Sequence, residues 1–136
     1  MIFRTPTIEE FQQICAYIRE FELDNRELQQ EEFTAAFREN VLVGFGRLRK
    51  HIDCTELCSL GVVTNFRKQG IGKGIVEALI QRSSKSIHLV CIIPEFFSPF
   101  GFNIVEKYPA AILDKLHYCT QELQVPEAYV AMHLQQ

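Results

Sequence analysis

The sequence predicts one α/β domain, mixing helices with a mainly antiparallel sheet, over residues 1–136. Three observations carry this. An apolar stripe of helical spacing follows Thr7, β-type runs flank a short polar turn between residues 41 and 63, and residues 57–80 read as strand, basic glycine-rich turn and amphipathic helix. At 47% hydrophobic and 23% charged, a chain of 136 residues suffices for one core but not two.

Taken in order, a first strand ends near Arg4. Thr7 is a good N-cap with Glu10 three residues later, a capping-box arrangement. Ile8, Phe11, Ile14, Cys15, Ile18 and Phe21 then recur on one helical face, which predicts a helix over 7–22. Residues 22–26 are polar and read as a loop, and a second helix is expected over 27–39, burying Leu28, Phe33, Ala36 and Phe37. Residues 41–48 read as a strand with two glycines, 50–53 as a hairpin turn and 54–63 as the returning strand. Later strands are expected at 86–92 and 103–106, a short helix at 110–119, and a final strand at 128–134 opened by Pro126. An exposed edge on that last strand would allow a homodimer.

The turn at 67–74 is built for an anion. Gly70, Gly72 and Gly74 let a ligand approach the backbone, the first helical amides lack an intrahelical partner, and Arg67, Lys68 and Lys73 add positive charge. A nucleotide P-loop needs Ser or Thr after its Gly-Lys to ligate magnesium, and here Gly72-Lys73 is followed by Gly74. A dinucleotide fingerprint needs Gly-x-Gly-x-x-Gly, whereas this spacing is Gly-x-Gly-x-Gly.

What fits is Arg67-x-x-Gly70-x-Gly72 after a strand, which resembles the coenzyme A loop of the GNAT acetyltransferases. The flanks extend the resemblance over nearly the whole chain. Glu56-Leu57-x-x-Leu60-x-Val62 stands where the family has its fourth strand, and Phe96-Phe97-Ser98-Pro99-Phe100-Gly101-Phe102 is similar to the family's Phe-Tyr-x-x-x-Gly-Phe. The resemblance implies a sheet of six to seven strands flanked by about four helices and splayed between the fourth and fifth strands, with acetyl-CoA in the split. It implies that Val62, Val63 and Thr64 line the acyl end, the Val62 amide polarising the thioester carbonyl, an interaction worth about 2.7–4 kcal/mol. The pyrophosphate would rest on the amides from Gln69 through Ile71 to Gly74, with Arg67, Lys68 and Lys73 adding charge.

By the same resemblance the reaction is direct attack of a primary amine, of a small metabolite or amino acid, on the acetyl thioester, with Glu56 as base. A second reading of Glu56 is a strand-end carboxylate, solvated or paired with Arg47 or Lys50. The family's acid, a tyrosine, is replaced by Phe97, which has no proton to give and would line the pantetheine channel. Ser98, Tyr108 and Tyr118 are the nearby hydroxyls. The substitution favours one alternative, an acetyl-CoA-binding regulator that has lost the chemistry; a further alternative, independent of it, is an acetyltransferase acting on a protein N-terminus, lysine or peptide.

The formal charge of −3 argues against a nucleic-acid binder. No apolar run reaches the roughly 20 residues that span a bilayer, and a cytoplasmic protein is expected. Cys15, Cys54, Cys58, Cys91 and Cys119 contain no Cys-x-x-Cys pair, so no metal is expected and the thiols should be reduced, with Cys119 the exposed one. His88 alternates with Ile87 and Leu89 and faces the other side of its strand, while His51 and His117 read as surface residues.

Overall fold

The computed structural model describes residues 1–122 and 128–136. Among them lie seven strands and four α-helices. The chain divides into two compact units, Met1–Leu48 with Leu57–Arg82, and Arg49–Glu56 with Ser83–Gln136.

In the first unit, β1 (Ile2–Arg4), β2 (Phe33–Arg38), β3 (Val41–Lys50, to Leu48) and β4 (Thr55–Val62, from Leu57) lie side by side in that order. β1 and β3 are both antiparallel to β2. Helix α1 (Ile8–Glu20) starts at the capping box expected from sequence. The Thr7 hydroxyl accepts from the Glu10 amide at 3.2 Å, and the Glu10 carboxylate accepts from the Thr7 amide at 2.8 Å. Arg4 adds a fork to the same carboxylate at 2.7 and 2.9 Å. Ile14 and Ile18 of α1 pack with Phe33, Ala35, Phe37 and Phe45.

Beside Arg4, the Glu10 carboxyl is held down to about 2. A carboxyl depressed on folding adds stability above its unfolded value, here 4.5, and loses it as pH falls through the folded one. Because Arg4 lies in solvent, screening keeps the ion pair a weak contribution beside the capping box. Glu10→Gln should therefore lower the melting temperature by a few degrees at pH 7. The gap from wild type should narrow as pH falls from 4.5 toward 2, which a calorimetric pH series would follow.

The helix expected over 27–39 is not there. A single 3-10 turn, Gln30–Glu32, leads into strand β2. Leu28, Phe33, Ala36 and Phe37 contribute to the interior as expected, but Phe33, Ala35 and Phe37 do so by the alternation of a strand facing α1. Partnership with β1 and β3 overrides the helical propensity of the Glu- and Gln-rich approach.

On the other face, α2 (Ile71–Arg82) lies close to β3. A Cβ at Gly44 would come within 2.7 Å of Ile75, and one at Gly46 within 2.8 Å of both Ile75 and Leu79. At Gly61 of β4 a Cβ would stand 2.6 Å from the buried Phe45 ring. Gly61→Ala should cost about 1–3 kcal/mol through overpacking, read as a lower urea midpoint at unchanged slope.

In the second unit, the loop joining β3 to β4 is followed in space by the order β4-β5-β7-β6, with β5 at Ile87–Cys91, β6 at Asn103–Val105 and β7 at Val130–Leu134. The parallel ladder of β4 with β5 has two pairs, Thr55 with Ile87 and Glu56 with His88, and stops there. β7 is antiparallel to both β5 and β6. It is thus an interior strand, and the edge proposed for dimerisation is absent; the outer strand is the three-residue β6. Pro126, expected to open β7, lies outside the described residues. Helix α3 (Pro94–Phe97) runs into a 3-10 turn ended by Gly101 at φ 103°. Helix α4 (Ala110–Glu122) buries Ile112, Lys115 and Cys119. Cys119, expected to be exposed, is 2% exposed because it shares the inward stripe of α4.

Candidate active site

The phosphate turn belongs to the first unit. β4 ends at Val62, and a 3-10 turn over Thr64–Phe66 carries the chain toward α2. Val63 donates its amide to Val43 of β3 at 2.9 Å, so it is committed to the sheet. Successive strand amides face opposite ways, which turns the Val62 amide away from β3. Thr64 is exposed and its carbonyl accepts from Arg67 N.

Arg67 pins the turn to the strand end: its Nε donates to the Val62 carbonyl at 3.0 Å and its guanidinium lies 4.9 Å from the Phe21 ring centre. The Gln69 side-chain oxygen accepts from Arg38. Lys68 and Gly70 are both left-handed, at φ 65° and 79°, alternating with their neighbours as successive amides do when they converge on an anion. Helix α2 begins at Ile71, and its first bond runs from the Gly74 amide to the Gly70 carbonyl at 3.2 Å. The amides of Ile71, Gly72 and Lys73 thus precede any intrahelical bond, at the positive end of the dipole.

One residue of the expected set plays another part. Gly74 offers no amide to a ligand; it lacks a Cβ because one would sit 2.7 Å from the Phe3 ring. Ile71 buries its side chain and presents only backbone.

The second unit holds a buried carboxylate centre. The Glu56 side chain is 0% exposed. Its Oε1 is 2.8 Å from His51 Nε2, and its Oε2 is 3.2 Å from Lys115 Nζ. The Glu56 carboxylate is thus buried where a solvated one was expected, and Arg47, a partner considered for it, is engaged elsewhere. The Arg47 guanidinium, fully buried, engages Glu32 and the carbonyls of Arg26 and Glu27 in the first unit.

Local geometry explains how the three groups meet. The His51 amide donates to the Cys54 carbonyl at 2.9 Å, closing the hairpin turn, and the Asp53 carboxylate accepts from the Ala111 amide at 3.3 Å in the first turn of α4. That contact ties the first turn of α4 to the hairpin, and Lys115, one turn further on, meets Glu56. The Tyr118 ring lies 6.0 Å from the Lys115 ammonium. Sequence reasoning treated His51 as surface and passed over Lys115. The usable signals were the hairpin spacing between His51 and Glu56, and a lysine in register with Ile112 and Cys119 on an apolar helix face.

His88 stacks on His133 with ring centres 4.3 Å apart. Burial, and then His133, push its imidazole below the ordinary value, while Asp53 acts in the opposite sense. Its Nδ1 is buried without a hydrogen-bond partner among the described residues. Burial, assisted by Asp53 and Glu56, pushes the Cys54 thiol up to about 12, so it stays protonated and inert. Phe97 is 5% exposed and meets Phe96 and Phe102 edge-on at 5.0 and 5.9 Å. The Ser98 hydroxyl donates to the Pro94 carbonyl at 3.0 Å, and Tyr108 is half-buried. Among the described residues no group of three or more His, Cys, Asp or Glu side chains is placed to hold a metal ion, and no helix is long and apolar enough to cross a membrane.

The family model described as Acetyltransferase (GNAT) family matches residues 2–96. Among solved structures, the chain is similar to Rv2747 from Mycobacterium tuberculosis in complex with CoA and NLQ, at TM-score 0.77 and 18% identity, over 100% of this chain and 99% of that one. It is similar to N-acetylglutamate synthase from Neisseria gonorrhoeae complexed with coenzyme A and N-acetyl-glutamate, at TM-score 0.76 and 14% identity. That match covers 98% of this chain and 34% of that one. Arabidopsis thaliana Naa50 in complex with the bisubstrate analogue CoA-Ac-MVNAL gives TM-score 0.66 and 16% identity, over 99% and 98% of the two chains. At these identities the likeness is one of fold. No curated protein matches the chain.

Proposed function

Because the chain belongs to the GNAT acetyltransferase family, we propose that it moves the acetyl group of acetyl-CoA directly to the primary amine of a small metabolite or amino acid. The observation that carries this reading is the turn at 67–73: a left-handed pair at Lys68 and Gly70 followed by three helical amides with no intrahelical acceptor. Such a nest, under the charge of Arg67, Lys68 and Lys73, suits a diphosphate. The Gln69 amide joins it, and Gln69 is steadied by Arg38. The Val62 amide polarises the thioester carbonyl, with Val63 and Thr64 beside it, and Phe97 serves only as an apolar wall.

An alkylammonium, with a free pKa near 10.4, must lose a proton before it attacks. In this reading the proton goes to the centre built on Glu56. The nitrogen then bonds to the carbonyl carbon and the thiolate of coenzyme A departs without a covalent enzyme intermediate. The test is thiol release from acetyl-CoA over a panel of amines and amino acids: turnover with at least one acceptor is expected. Acetyl-CoA binding without turnover for any acceptor would favour the second reading, a regulator that keeps the cofactor and not the chemistry, to which Phe97 in the tyrosine position lends weight. Naa50, solved with a peptide bisubstrate analogue, makes a short peptide a proper member of the panel.

A further inference from the structure

Directly paired residues on neighbouring strands project from the same face of a sheet. The registers Glu56 with His88, His88 with His133 and Asn103 with His133 therefore set polar side chains in one row across β4, β5, β7 and β6 of the second unit. In the middle of that row the two imidazoles stack, with ring centres 4.3 Å apart and planes 23° from parallel. His88 Nδ1 is buried and has no hydrogen-bond partner among the described residues. A neutral ring tolerates this place by carrying its hydrogen on Nε2 and leaving only a lone pair at Nδ1. A protonated ring carries hydrogen on both nitrogens, so a donor stands at Nδ1 where no described residue offers an acceptor. With both rings protonated, two like charges also meet face to face.

The charged groups around the stack come from every element beside it. Glu56 lies next to His88 on β4, in contact with His51 and with Lys115 of α4, the helix packed against β5 and β7. Asp114 and His117 of that helix are exposed, and β6 contributes the neutral Asn103. Asp53 of the hairpin favours the imidazolium, but burial and then His133 outweigh it, and His88 is lowered from 6.5. We propose that the His88–His133 stack is an acid-sensitive latch: neutral, it joins β7 to β5, and protonated, it loosens the last strand from its place between β5 and β6. The latch lies wholly in the second unit and does not depend on the acetyl-transfer reading. Its sign follows from linkage. A histidine lowered on folding adds stability above 6.5, and that contribution is lost as pH falls below it.

Two measurements test it. The first is urea unfolding, at pH 7.5 and pH 5.0, of the wild type and of the double variant His88→Phe with His133→Phe, whose rings still stack and cannot be charged. Between those two conditions the unfolding constant of the wild type should rise at least about fivefold more than that of the double variant. The second uses the wild type alone, so it decides the matter even where the larger rings upset the sheet. By NMR, His88 should titrate below 6.5 in the folded protein. On acidification the amides of β5 and β7 should lose protection from hydrogen exchange before those of β2 and β3. An equal pH response in wild type and double variant, a His88 midpoint at or above 6.5, or protection lost together in all four strands would overturn the proposal.

Discussion

Gly70→Glu should abolish acetyl-CoA binding while leaving the protein folded. Gly70 is exposed, and an added Cβ meets no heavy atom within 4 Å, so a larger side chain has room. The left-handed backbone at φ 79° charges any non-glycine residue about 1–2 kcal/mol. A carboxylate at the N-terminus of α2 recovers part of that through the helix dipole. It does so by occupying, as an internal anion, the amides that would receive the diphosphate, and by repelling a second anion. A loss of at least a hundredfold in affinity, about 2.7 kcal/mol, is expected in a calorimetric titration. Gly70→Ala, which bears the backbone strain and no charge, should stay within severalfold of wild type. Equal binding by wild type and Gly70→Glu would remove the phosphate role from this turn.

Glu56→Gln should be damaged twice over. Turnover should fall at least a hundredfold, since the variant lacks the carboxylate proposed to take the proton of the acceptor ammonium. Stability should fall as well, because the ion pair of Glu56 with the 6%-exposed Lys115 at 3.2 Å is lost inside the second unit. The two losses are separable. Adding Lys115→Met to Glu56→Gln replaces the buried pair with packing and should restore most of the stability with none of the turnover. Urea titrations of the two single variants and the double variant give the coupling energy, and the rates of the same proteins give the chemistry. If the double variant regains turnover along with stability, Glu56 is a folding element and not part of the reaction.

Features that are local in sequence were legible. The capping box of Thr7 and Glu10 lies within one turn, and the strand–turn–helix around Gly70 is a continuous motif whose amide geometry follows from where α2 begins. β2 was misread because Phe33, Ala36 and Phe37 fall at i, i+3 and i+4, a helical stripe by spacing. Phe33, Ala35 and Phe37 equally satisfy a strand, and only the partners β1 and β3 decide between them. Glu56 was legible by its place at the head of β4, but its environment was not. Lys115 reaches it from a distant helix that turns Ile112 inward and sets its first turn on the hairpin carboxylate of Asp53. The same docking turned Cys119 inward. Burial of polar side chains is a property of packing, and a hydropathy pattern reads such positions as surface.

The placement of β7 sets a timetable for folding. Val130–Leu134 inserts between β5 and β6, so two strands made earlier acquire no common neighbour until the ribosome has passed residue 134. At about 5–20 residues per second, several seconds separate the emergence of β5 from that of its partner. Over that interval the main-chain edge of Ile87–Cys91 is open to other nascent chains, and a stalled or truncated product would keep it so. The last strand of this chain is therefore also the one that makes the second unit safe from association during synthesis.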